Sequence, residues 1–139
     1  MLNVQTASKL QSFPEYKANP EKYEKIIYHL MVEACKDPYF AYLFALNIKN
    51  ANMEYCQKYA CKDPEWAYFF ARNIKGADIE YCQKYACKDS QYAYLFAKDI
   101  PGADIEYCQK HACKDPEFAY KFARDIKGID IKYCQEHAG

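Results

Sequence analysis

The residues with chemistry to offer are eight cysteines, three histidines and a row of tyrosines, all set at fixed intervals. The cysteines fall into two rows: Cys56, Cys82, Cys108 and Cys134 in one, Cys35, Cys61, Cys87 and Cys113 in the other. On a helix, Cys56 and Cys61 point about 140° apart, so Cys61 looks toward the side on which Cys82 lies. Pairs 35/56, 61/82, 87/108 and 113/134 would use all eight as disulfides. Five residues of helix rise ~7.5 Å, and a lateral helix spacing of ~9 Å then puts the paired Cα atoms ~12 Å apart. A disulfide tolerates ~7 Å, so only a strongly staggered stack allows bridges. Leu30 stands at the Cys56 position one period earlier, which fits cysteine as a small hydrophobe. Buried free thiols are the expectation.

Metal chemistry has little support. Cys108-x-x-His111 and Cys134-x-x-His137 have ligand spacing, but Tyr59 and Tyr85 hold the histidine position in the earlier copies. A zinc site needs about four convergent ligands, so no metal site and no cofactor is expected. A thiolate ladder for a soft metal such as copper(I) would require the two cysteine rows to converge. Catalysis is not expected either. The chain has no serine–histidine–acid set, no glycine-rich phosphate loop and no HExxH. Its acids, Asp125 and Asp130 included, read as helix-terminal groups.

Recognition is better supplied. Tyr55, Tyr81, Tyr107 and Tyr133 are identical in every copy and point about 160° from the inward centre of their helix. Tyr59, Tyr85, His111 and His137 lie beside them. Lys58, Lys84 and Lys110 flank the other side, with Glu54, Glu80 and Glu106 beyond. Rings bordered by mixed charge are what interfaces prefer. The same ladder also serves packing between adjacent helices, and both roles stay open. A second row, Leu43, Phe69 and Leu95, faces outward on the preceding helices and gives way to Lys121. Gln57, Gln83, Gln109 and Gln135 flank the core as a hydrogen-bonded ladder between copies.

The elements that position these residues come from one repeated stretch. Ala34–Tyr59 recurs at Ala60–Tyr85, Ala86–His111 and Ala112–His137, with a period of 26 residues and no insertion. Each copy holds two helices. Asp-Pro starts the first, A, at Asp37, Asp63 and Asp115, with Ser90 replacing proline in the third copy. Helix A is expected to end near Lys75 and its equivalents, before Asn50, Gly76, Gly102 or Gly128; Pro101 also blocks continuation. Asn52, Asp78, Asp104 and Asp130 then cap helix B. Ala41, Phe44, Ala45 and Ile48, with their copies, make the core stripe. Phe40-type and Tyr42-type rings lie on opposite flanks, so rings of successive units should meet. Upstream, Val4–Ser12 reads as a short helix, and Asn19-Pro20-Glu21 as the start of a capping helix to about Cys35. Leu2, Val4, Leu10 and Phe13 are expected to cover the apolar patch of Tyr39, Leu43 and Leu46.

The expectation is an all-α, right-handed α-solenoid of four 26-residue helix-turn-helix repeats with an N-terminal helical cap. Residues 1–33 form the N-terminal segment and capping helix; 34–139 form the four tandem repeats of one continuous domain. Nineteen basic and nineteen acidic residues cancel, which makes nucleic acid an unlikely partner. No stretch reaches the ~20 apolar residues of a membrane span, and MLNVQTASKLQSF lacks the pattern of a signal peptide. A cytoplasmic location is expected, as monomer or homodimer.

KDPEWAYFFARNIKGADIEYCQ and KDPEFAYKFARDIKGIDIKYCQ resemble the short helical tandem repeats of uncharacterised bacterial and bacteriophage proteins, over residues 34–137. That resemblance carries no catalytic residue. It implies a phage-associated, non-enzymatic inhibitor, of anti-defence or anti-CRISPR type, that binds a host protein in the host cytoplasm. The alternatives are a small ligand or single-stranded nucleic acid on the tyrosine/lysine face, and cysteine-based copper or zinc binding.

Overall fold

A computed structural model describes residues 2–138; for Leu2, Ile131, His137 and Ala138 it describes the backbone alone, so the roles expected of the Leu2 and His137 side chains lie outside the described residues. The chain is all-α. Its helices are α1 (Leu2–Gln11), α2 (Pro14–Ala18), α3 (Glu24–Ala34), α4 (Pro38–Asn47), α5 (Met53–Ala60), α6 (Pro64–Asn73), α7 (Ile79–Ala86), α8 (Ser90–Asp99), α9 (Ile105–Ala112), α10 (Pro116–Asp125) and α11 (Ile131–Ala138). A 3₁₀ turn, Pro20–Tyr23, precedes α3, and there is no strand among the described residues.

Caps set the helix starts. Asp63 Oδ1 accepts from the Glu65 amide at 2.9 Å, ahead of Pro64 at the first helical position. Asp78 Oδ1 does the same for Tyr81 at the head of α7. Asn19 does not behave this way. Its side chain makes no capping bond, and the segment it opens is 3₁₀ before it becomes α-helical at Glu24. The A helices α4, α6, α8 and α10 also stop two residues before the expected end. Ile48, Ile74, Ile100 and Ile126 are extended, not helical. In the first three copies a four-residue turn starts on the isoleucine: the Ala77 amide, for example, donates to the Ile74 carbonyl at 3.2 Å. Its third residue has positive φ, 59° at Asn50 and 87° at Gly76. Pro101 fills the second position of that turn, where its fixed φ belongs. The isoleucines keep their core role, since Ile48, Ile74 and Ile100 remain buried.

Each A helix packs on the B helix that follows it: α4 on α5, α6 on α7, α8 on α9 and α10 on α11. Successive A helices also pack on each other. Phe44, Phe70, Phe96 and Phe122 are fully buried at the centre of each pair. The expected ring contacts between units occur: Tyr42 on Trp66, Tyr68 on Tyr92 and Tyr94 on Phe118, with centroids 5.5, 5.8 and 6.1 Å apart. Past those rings, Tyr68 donates from its hydroxyl to Asp99 at 2.5 Å, and Tyr94 donates to Asp125.

The N-terminal segment does more than expected. Helix α1 packs on both α3 and α4, so with α3 it completes an A-like and B-like pair ahead of the first repeat. Val4 and Ala7 are buried there, and Gln11 closes the end of α4 by accepting from the Lys49 amide and donating to its carbonyl. The cover over the apolar patch is partial: Tyr39, Leu46 and Phe13 stay exposed.

The cysteine geometry departs from expectation. All eight are buried free thiols, as expected. The axial rise was expected to hold the rows apart, yet their sulphurs meet at 4.0 Å (35/56), 3.7 Å (61/82), 3.7 Å (87/108) and 3.1 Å (113/134). The stack is staggered. The carboxyl end of each B helix lies against the front half of the next, so residue i faces residue i+21. The Asp78 amide donating to Gln57 Oε1 at 2.8 Å has the same offset.

Candidate functional site

Each B helix begins on an Asn or Asp cap whose carbonyl or carboxylate oxygen accepts from the amide of the tyrosine three residues on. That bond fixes the backbone beneath Tyr55, Tyr81, Tyr107 and Tyr133. Four residues later comes a second ring on the same face. Tyr55 meets Tyr59 at 4.9 Å, Tyr81 meets Tyr85 at 5.0 Å and Tyr107 meets His111 at 4.6 Å. Lys62 and Lys88 place their ammonium groups 4.4 and 4.7 Å from the Tyr59 and Tyr85 ring centres. The ladder tyrosines are half-buried, neither swallowed by the core nor free of it.

Between successive B helices the wall opens into clefts. Two have volumes of ≈ 810 Å³. One is lined by Tyr55, Gln57, Lys58, Asp78 and Tyr81, with Gly76 at its rim; the next by Tyr81, Gln83, Lys84, Asp104 and Tyr107, with Gly102. A third, ≈ 240 Å³, is lined by Glu106, Gln109, Lys110, Gly128, Asp130 and Tyr133. The fold thus gathers the expected tyrosines and lysines in sets, with Tyr81 shared by two neighbouring clefts. Glutamines form the floors: Gln83 Oε1 accepts from the Asp104 amide at 2.7 Å, as Gln57 does from Asp78.

Leu43, Phe69 and Leu95 do not join these clefts. They lie on the A helices and are half-buried. Phe69 packs among Tyr42, Trp66 and Tyr68, and Leu43 lines a cleft against α1 with Val4 and Ser8. Asp78 and Asp104 were legible as caps; that they also wall a cleft depends on the stagger, which the sequence does not display.

The clefts are chemically quiet near neutral pH. Partial burial, then the neighbouring Tyr59 hydroxyl, pushes the Tyr55 phenol up to about 12; partial burial and Tyr85 do the same to Tyr81. Tyr107 is shifted upward too, chiefly by burial. Burial, then the charges of Lys114 and Lys110, lowers the His111 imidazole below its usual range, so it is neutral. No group of three or more metal-ligating side chains occurs among the described residues. What the clefts offer is phenol hydroxyls, ring faces, ammonium groups and carboxylates in alternation. No family model, no curated protein and no solved structure matches the chain.

Proposed function

We propose that the chain is a right-handed α-solenoid of four 26-residue helix-turn-helix repeats with an N-terminal cap, and that it is a non-enzymatic protein-binding module whose contact surface is the B-helix face. The observation that carries this reading is the recurrence of one cleft: tyrosine, lysine and glutamine from one B helix, aspartate and tyrosine from the next. Equivalent clefts side by side suit an extended partner that presents polar and aromatic groups at a matching interval. The resemblance to repeats of bacterial and bacteriophage proteins supports a phage-encoded inhibitor that binds a host defence protein. Asp78 and Asp104 in the cleft walls weigh against phosphate backbones, so single-stranded nucleic acid is the weaker occupant. The test is partner recovery from extracts of the native host. Tyr81→Ala with Tyr107→Ala should abolish recovery and leave helicity intact. Recovery at the original level would remove the cleft face from the interaction.

A further inference from the structure

The cysteine pairs lie behind the clefts and have no part in that reading. Each pair joins the residue just past one B helix to one in the middle of the next, with both side chains 0–3% exposed. The pairing leaves no cysteine over. Where a partner would be missing, cysteine is missing: at the Cys56 position of α3 stands Leu30, whose counterpart 21 residues earlier is Lys9.

We infer that the four unit-to-unit junctions are dithiol modification sites, at which a hydroperoxide closes a disulfide between each cysteine and the one 21 residues on. The chemistry balances without another reagent. One sulphur attacks a peroxide oxygen, the O–O bond breaks, and the departing hydroxide takes the thiol proton as water, leaving a sulfenic acid. The partner sulphur then attacks the sulfenic sulphur. The S–O bond breaks, the S–S bond forms, and the second thiol proton leaves with the hydroxide as water. Two thiols and one peroxide give one disulfide and two waters, and each sulphur is oxidised by one electron. The product is neutral, so the dry junction accepts it. A copper(I) bis-thiolate would instead bury a net negative charge where Gln57 and Gln83 already turn a carbonyl oxygen toward Cys82 and Cys108. Since the thiols are buried, oxidation waits on local opening and runs slower than at an exposed cysteine.

The test treats the folded full-length chain with hydrogen peroxide, then unfolds it in an alkylating agent. Four bridges remove about 2 Da each, ~8 Da in all, and dithiothreitol restores the mass. A non-reducing tryptic digest identifies 35/56 and 113/134 directly; Cys61 and Cys87 lie on identical Tyr-Ala-Cys-Lys peptides, so the Cys61→Ala variant distinguishes 61/82 from 61/108 by which cysteine loses its bridge. The expected linked peptides carry 35/56, 61/82, 87/108 and 113/134, and thermal unfolding of the bridged chain moves upward. In Cys61→Ala, Cys82 should be the one newly alkylated cysteine and the other three bridges should form. Full alkylation of all eight, irreversible oxygen addition without bridging, or re-pairing of Cys82 with another cysteine would each overturn the inference.

Discussion

Tyr68 and Tyr120 occupy the same place in the 26-residue period, yet Tyr68 is 2% exposed and Tyr120 62%. Gln83 and Gln135 differ in the same way: one is buried, the other exposed. Phe96 and Phe122 do not differ; both are fully buried. The interior units and the fourth thus act as controls for each other. Phenylalanine is buried by its own helix pair. Tyrosine and glutamine are buried by the unit that follows, and no described unit follows α10 and α11. Two cores share one period: an apolar one inside each unit, and an amphipathic one that exists only where units meet.

The strongest way to break this distinction is to empty the core within a unit. Phe70→Ala and Phe122→Ala should each cost about 3–5 kcal/mol in denaturant unfolding, because both rings fill sealed sites. Similar losses at the interior and the last position are expected; a much smaller loss at Phe122 would mean that neighbours sustain even the phenylalanine core. Next come the junctions. Gln83→Ala removes the half-buried bond from the Asp104 amide and should cost about 1–1.5 kcal/mol. Gln135→Ala should stay within about 0.5 kcal/mol by the same measurement.

That division explains how much of the molecule could be read from its residues. Spacing alone revealed the helix pairs, the Asp and Asn caps, the buried phenylalanines and the tyrosine rings meeting across units, because each follows from local preference and a 3.6-residue period. The stagger could not be read this way. It arises from how Gln57 engages the backbone of Asp78, a contact between residues 21 apart that no single helix encodes. The cysteine contacts, the clefts and the second role of Asp78 all follow from that offset. Asn19 was misleading for a related reason: a cap residue followed by proline marks a helix start locally, but the chain there takes a 3₁₀ turn before the packing of α3 begins.

A finer comparison is hydroxyl against hydrogen. Tyr68→Phe deletes the bond to Asp99 and should cost about 1 kcal/mol, while Tyr120→Phe should be silent in the same melt. Burial, then Asp99, pushes the Tyr68 phenol up to about 12. In the unfolded chain a tyrosine ionises near pH 10, so the folded state keeps its proton longer. Stability is complete below about pH 10 and declines as pH climbs through 12. Tyr68→Phe should weaken that alkaline decline.

The smallest effect lies at the acid end, at the last junction between units. Arg124 donates from Nε to Asp125 Oδ1 at 2.7 Å, and Tyr94 of the preceding unit donates to Oδ2 of the same carboxylate. The guanidinium first, then the phenol, holds Asp125 well below the usual carboxylate range. A carboxylate with a depressed native value stabilises the fold above about pH 4 and loses that contribution as pH falls toward the native value. Asp125 is solvent-exposed, so salt screens the effect and the acid slope is shallow. Arg124→Ala should flatten that slope more than Tyr94→Phe does, since the guanidinium is the larger cause and belongs to the same unit. If Tyr94→Phe flattens it more, the bond across the junction controls the carboxylate, and the fourth unit is held by its predecessor more tightly than its own residues suggest.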